Sequence, residues 1–346
     1  MTGKMNDIVS SGLAGSLALA AAFLMPLFFN DWELLQLMIY VILSMLALSL
    51  AFIWGFGGIL SFGHAVFFGL GAYAYAIAAA NFGETTLPLL LSIAVPSVFA
   101  VLFGYFMLYG RISDVYLGAI TLSLTLVFEK FMNSTAGPQY VIGEARLGGA
   151  NGIPSIPRLN VPGFPDWVLS TSDLFGLCVI LLAGVYIGLK FLISSDFGRI
   201  IIAVRENEMR AELLGYDARK YKLITFVIGA AIAGLAGCLF ANWGGFISPK
   251  VFALSQSIQI IIWVVFGGVG TLVGPILGCM LIQWFTTYLT TVNIINKDVV
   301  LGALLTAVVL LLPSGLIPTI QRLINKIRLP RNTTARIAVE KAESRP

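Results

Sequence analysis

An all-α, polytopic transmembrane helical bundle of about ten spans is the fold class this sequence predicts, and three observations carry it. Mean hydropathy over the 346 residues is +0.92. Charged residues make up only 11% of the chain, too few to dress a soluble surface of this size. Apolar runs of roughly 18 to 22 residues recur without strand alternation, and in hydrocarbon such a run satisfies its own N–H and C=O groups only as a helix.

In chain order the runs place spans at 12–29, 33–54, 64–82, 87–109, 112–132, 173–193, 223–243, 255–272, 273–292 and 298–318. The first follows Lys4 and contains the small triplet Ala18–Ala20, which raises a signal peptide; the run continues through FLMPLFF, so it reads as an uncleaved span. Between the fifth and sixth runs lies a loop, 133–170, with five prolines after Gly137 and many glycines, read as ordered turns rather than a folded domain. Residues 1–330 thus form one membrane domain. Residues 331–346 are a short basic tail, solvated or resting on the inner leaflet. Cys178, Cys238 and Cys279 lie inside apolar runs and read as small packing residues.

Basic residues set the orientation. Segment 194–222 holds Arg199, Arg205, Arg210, Arg219, Lys220 and Lys222, and the chain after 318 holds Arg322, Lys326, Arg328, Arg331, Arg336, Lys341 and Arg345. Loop 133–170 has only Arg146 and Arg158. The first two segments are therefore expected in the cytoplasm and the loop outside. Four crossings separate the two basic segments, which agrees, and counting back puts both termini inside, with the Asp31/Glu33 and Glu84 turns outside.

Several chemistries have no residues to run on. The chain has no phosphate-binding G-x-x-x-x-G-K-[ST] loop, no H-E-x-x-H and no C-x-x-C, and its one histidine is His64. An enzyme is not expected, nor any cofactor or metal, and lipid rather than nucleic acid is the surroundings the composition implies. Asp114, Glu129, Lys130, Lys190 and His64 all fall within about two turns of a span end, which leaves the midplane without a carrier for protons or sodium. An ion-coupled carrier is disfavoured on that ground, and a passive channel stays open. The remaining energy source is a partner that hydrolyses ATP.

An island of charge at 199–222 fits such a partner, since ten of its twenty-four positions are Arg, Lys, Glu or Asp. Ala203 to Leu214 reads as one helix of strong formers stopped by Gly215, with Glu206 and Arg210 at i,i+4 spacing and an apolar stripe of Met209, Leu213 and Tyr216. Such a helix can enter a cleft of a cytoplasmic protein. It can equally be a solvated loop that only fixes orientation.

DFGRIIIAVRENEMRAELLGYDARKYKLITFVIGAAIAGLAG, residues 196–237, resembles the coupling-loop region of LivM-type permeases of ABC transporters for branched-chain, hydrophobic amino acids. GFGGILSFGHAVFFGLGAYAYA at 55–76, DVYLGAITL at 114–122 and FISPKVFALSQSIQIIIWVVFGGVGTLVGPILG at 246–278 are similar to further segments of that family, in the same order. The resemblance implies an inner-membrane permease paired with a second, similar permease, two cytoplasmic ATP-binding subunits and an external substrate-binding protein. It implies that Arg205, Glu206, Asn207, Glu208, Ala211, Leu214 and Gly215 contact an ATPase, with Asp217 to Lys222 flanking.

Gly57, Gly58, Ser61, Gly63, His64, Gly267, Gly268 and Gly270 are the candidates for the translocation path, because glycine permits broken helix next to a cavity. Close helix packing explains the same glycines. His64 reads as a neutral ring bonded across the breaks, or as a gate. FGGILSFG at 56–63 and FGGVGTLVG at 266–274 also share a faint internal similarity. Branched-chain or other hydrophobic amino acids are the expected cargo, with urea or short-chain amides the alternative because the stretch before GGANGIP is extended.

Overall fold

The computed structural model describes residues 2–110, 112–292, 300, 302, 306, 315–320 and 322. Eleven helices of the described residues build it: α1 (Thr2–Phe28), α2 (Asp31–Gly55), α3 (Ala65–Phe82), α4 (Thr86–Tyr109), α5 (Asp114–Ser134), α6 (Thr171–Ser194), α7 (Asp196–Glu206), α8 (Glu208–Leu213), α9 (Ala218–Gly244), α10 (Leu254–Gly267) and α11 (Val273–Val292). Seven of them are long and apolar enough to cross a membrane, namely α2 to α6, α9 and α11. The all-α polytopic bundle expected from the hydropathy is what the chain forms. The expected span at 298–318 falls mostly outside the described residues, as does the basic tail 331–346.

The expected span at 12–29 lies on α1, which runs to Phe28, whereas the one at 255–272 comes out differently: α10 has 14 residues, about 21 Å at 1.5 Å per residue, short of the roughly 30 Å hydrocarbon core. α10 stops because Gly268 and Gly270 take φ of 116° and 90°, which a helix cannot contain. Thr271 then turns the chain into α11, its hydroxyl donating to Gly268 O at 3.0 Å and accepting from Gly274 N at 3.2 Å.

α2 is the central post. An Asn30–Glu33 capping box starts it, with both bonds at 3.0 Å. Residues 41–53 are then buried on every side, because α6, α9, α10 and α11 surround it. α9 crosses α3 and α4 at backbone distance. A Cβ on Gly71 would stand 2.3 Å from Gly234 O, and one on Gly237 would stand 2.0 Å from Phe68 O. Among helices in lipid the gain comes from this close packing and not from burying apolar surface, so the small residues of α3 and α9 hold the crossing. α1 lies on α6. α5 joins the body through the turn Pro249–Phe252, where Phe252 is stacked between Tyr73 at 5.7 Å and Phe128 at 5.6 Å.

The loop after α5 carries two small antiparallel hairpins, β1 (Val141–Ile142) with β2 (Ala145–Arg146) and β3 (Asn160–Val161) with β4 (Phe164–Val168). Buried amides pin it to the bundle end opposite the charged island. Asn242, 1% exposed on α9, accepts from Leu159 N at 2.7 Å and from Tyr75 Oη at 3.1 Å. Asn242→Ala strands the Leu159 amide and is expected to cost about 2 kcal/mol. Limited proteolysis reads it as faster cleavage within 133–170; an unchanged rate would mean the loop is held elsewhere.

Candidate functional site

The charged island folds as two helices, where one continuous helix over 203–214 was expected. Asn207 breaks it, with φ −160° and ψ 102°, and its side chain accepts from Arg210 N at 2.9 Å to start α8. A short polar side chain that caps the next turn competes with helix continuation, and here it wins over the strong formers on either side. The α6–α7 corner is tight as well, since a Cβ on Gly198 would stand 2.0 Å from Ile193 O. Beneath the corner Val204, Ala211 and Ala218 form a small buried cluster with Ile200 against it.

This geometry sorts the expected coupling residues. Arg205 turns inward: its guanidinium donates to Gly55 O, the last carbonyl of α2, and pairs with Glu206. Glu208 pairs with Lys222 Nζ at 2.6 Å, and Lys222 is itself 7% exposed on α9. Ala211 lies in the buried cluster. Asn207 makes the break. Gly215, at φ 90° with no described residue within 4 Å of a Cβ placed there, ends α8, its N–H donating to Glu212 O at 2.9 Å. Leu214 projects outward at 76% exposure, beside Met209 at 73% and Leu213 at 82%. The outer surface of the island is thus an apolar row rimmed by Glu206, Arg210 and Glu212, and its inner surface is a set of ties to the bundle.

The expected path residues form the two helix breaks, and the breaks meet. α2 ends in a built structure rather than a frayed one: Phe56 N and Gly57 N return to Phe52 O, Gly58 N to Trp54 O and Ile59 N to Ile53 O, at 3.1 to 3.3 Å. Gly58 takes φ 71°, and a Cβ there would stand 2.8 Å from Arg205 Cγ. A Cβ on Gly55 would stand 2.6 Å from Gly270 N, so the break after α2 touches the break after α10. The two similar glycine stretches of the sequence are therefore neighbours. Gly57 packs on Ile53 and Thr225, Gly267 on Gly274, and Gly268 on Gly315.

Past the break the chain folds back into the bundle. A Cβ on Gly63 would stand 1.8 Å from Thr121 O of α5, the tightest approach in this segment. His64 and Ser61 are 1% and 0% exposed. His64 Nε2 lies 2.7 Å from Ser49 Oγ on α2.

Two residues at this site went unread in the sequence. Gly55 heads the 55–63 glycine run and was a signal of the right kind. Ser49 is, with Ser44, one of two hydroxyls in an apolar stretch of span, a visible anomaly without a visible partner. Lys222, read as flanking the contact and setting orientation, turns out to tie Glu208 to α9.

The chain matches, over residues 34–309, the family described as branched-chain amino acid transport system / permease component. It is 30% identical over 307 residues to the high-affinity branched-chain amino acid transport system permease protein LivM of Escherichia coli, covering 81% of this chain and 68% of that protein. The corresponding BraD protein of Pseudomonas aeruginosa is 26% identical over 297 residues, 79% of this chain and 91% of its own. A second permease protein of the Escherichia coli system, LivH, is 30% identical over 165 residues, 44% of this chain and 52% of its own. No solved structure matches the chain significantly.

Proposed function

Because the chain belongs to the family of branched-chain amino acid transport permease components, we propose that it is the non-catalytic, membrane-spanning subunit of an ATP-driven importer. The cargo in this reading is a branched-chain or other hydrophobic amino acid, carried across a bacterial inner membrane into the cytoplasm. Both termini and the charged island face the cytoplasm, and the 133–170 loop faces outward. A second, similar permease completes the path, two ATP-binding subunits supply the energy, and an external binding protein delivers the cargo.

The observation that carries this reading is the two-sided island. Its exposed row, Met209, Leu213 and Leu214, offers an ATPase an apolar anchor outside the spans, and its half-buried ties, Arg205 to Gly55 and Glu208 to Lys222, lead into the bundle. A push on α8 therefore bears directly on the end of α2 and, through Gly55 against Gly270, on the end of α10. Relaying force through packed, hydrogen-bonded elements needs no ionisable group at the midplane.

Purification of the complex from its native membrane tests the assembly: two ATPases and a second permease are expected to come with the chain, and a chain that comes alone sinks the coupling reading. Replacing Leu213 and Leu214 together by Asp is expected to reduce the recovered ATPase at least about tenfold, since truncated apolar anchors at an interface cost more than 1 kcal/mol each. Undiminished recovery would place the docking surface elsewhere. Uptake of labelled leucine, competed by isoleucine and valine but not by urea, separates the amino-acid cargo from the amide alternative.

A further inference from the structure

The 56–64 segment carries polar atoms deeper into the bundle than its place at a span end suggests. Ser49, which His64 meets at 2.7 Å, lies six residues before the end of α2, about 9 Å along the helix. Leu46 O also lies 2.7 Å from Ser49 Oγ. A serine hydroxyl has one proton; with that proton on Leu46 O, Ser49 Oγ accepts from His64, Nε2 carries the ring proton and Nδ1 of the neutral ring is a bare acceptor.

Nδ1 has no partner among the described residues, and neither has the hydroxyl of Ser61, three residues earlier on the same turn. Both side chains are closed off from solvent. The polar groups around them are engaged: Thr121 Oγ1 donates to Gly118 O at 2.8 Å and accepts from Gly63 N at 3.3 Å, Thr125 Oγ1 donates to Thr121 O at 3.1 Å, and Thr225 Oγ1 donates to Tyr221 O at 2.9 Å. The two orphans lie at the tip of the folded-back segment, where a buried polar group left unmet is costly. The surrounding walls are apolar, with Phe67 edge-on to the imidazole at 5.8 Å and Phe226 behind it at 5.2 Å from Phe67.

We propose that Ser61 Oγ and His64 Nδ1 form a two-point hydrogen-bond station, in the core of the bundle, for a group that presents at least two N–H or O–H donors. One acceptor that cannot donate and one hydroxyl that can accept suit a water molecule or a primary ammonium group; a carboxylate, which only accepts, is refused by Nδ1. The ammonium source rests on the importer reading above, in which the amino group of the cargo passes this turn. The water source does not depend on that reading.

His64 is the single histidine of the chain, so ¹⁵N-histidine labelling of the full-length chain, with a histidine-free affinity tag and in phospholipid nanodiscs, yields one Nδ1 and one Nε2 resonance. The station predicts a protonated Nε2 and an unprotonated Nδ1 shifted from the position of a free ring nitrogen by an accepted hydrogen bond. If that shift is present without cargo and is unmoved by L-leucine, the donor is water. If it appears or grows with L-leucine and not with the matching α-keto acid, the donor is the ammonium group. In both cases Ser61→Ala is expected to return Nδ1 toward the free position, because the donor loses its second anchor. A free Nδ1 with and without L-leucine, a proton on Nδ1, or an Nδ1 indifferent to Ser61→Ala would each overturn the station. Failure of uptake or of co-purification leaves these signals untouched, so the two readings fail separately.

Discussion

Arg205→Ala lowers ATP-driven leucine uptake roughly ten- to a hundredfold while the ATPases stay bound and continue to hydrolyse ATP. The size follows from a charge-assisted hydrogen bond, about 1.5 to 3 kcal/mol, at a tenfold change per 1.4 kcal/mol. The structural reason is that Arg205 points away from the island's exposed row: its guanidinium closes the last carbonyl of α2, Gly55 O, with Glu206 on its other side. A cation at a helix C-terminus is held by the carbonyl and by the negative end of the helix dipole together. Without it, α7 and α2 lose their polar tie, and a movement of α8 reaches the bundle through apolar contacts that can slip.

Two companion variants sharpen the result. Arg205→Lys keeps the charge but loses the planar fork that bridges Gly55 O and Glu206, so an intermediate loss is expected. Gly58→Ala attacks the same tie from the opposite side, because its φ of 71° disfavours a side chain and the new Cβ would stand 2.8 Å from Arg205 Cγ. If Arg205→Ala instead strips the ATPases from the complex, Arg205 is a docking residue, as the family resemblance alone implies, and the tie to Gly55 is incidental. Unchanged uptake would remove Arg205 from coupling altogether.

Gly63→Val prevents the chain from reaching a stable fold. The added Cβ would stand 1.8 Å from Thr121 O and 2.3 Å from Thr121 C, backbone atoms that cannot rotate away, and 2.5 Å from Thr125 Oγ1. Separating the folded-back segment from α5 is expected to cost about 3 kcal/mol or more, at the severe end of overpacking. Size-exclusion profiles and thermal denaturation in detergent read this as loss of the monodisperse species. Gly188→Ala on α6 is the control, because nothing among the described residues lies within 4 Å of a Cβ there. It should fold at least as well as the parent chain, since alanine favours helix over glycine by about 1 kcal/mol. Equal damage from both would mean that glycine content, and not the Thr121 contact, governs folding.

The two glycine positions look alike in the sequence, and that marks where reading it runs out. Gly63 and Gly188 are each a glycine near or within an apolar run; only the arrival of α5 at one, and of no described residue at the other, separates them. The same holds for the island. Its charge density announced a segment outside the lipid, but Arg205, Glu206 and Glu208 are indistinguishable there as donors to a partner or to the chain's own helices. The break at Asn207 was written in a residue that favours caps, yet its neighbours are strong helix formers, and only in the folded chain, with Val204, Ala211 and Ala218 buried together, is the cap seen to prevail. His64 was visible as the lone histidine beside a glycine run, whereas its contact with Ser49 needed α2 to lie against the returning chain.

Span positions and helical class are local properties: a run of apolar residues long enough for the hydrocarbon has one way to satisfy its backbone, whatever its neighbours do. The charged island and the glycine stretches were legible for the same reason, since the cost of charge in lipid and the freedom of glycine belong to each residue alone. Partnership is not local. That α2 ends under Arg205, that its break rests on the break after α10, and that Ser61 Oγ and His64 Nδ1 are shut in with no partner among the described residues depend on atoms brought together from positions up to 215 residues apart, Gly55 and Gly270. In lipid, apolar runs are nearly interchangeable as packing surfaces, so the arrangement is chosen by backbone-close fits and a few hydrogen bonds, which exist only once the helices have met.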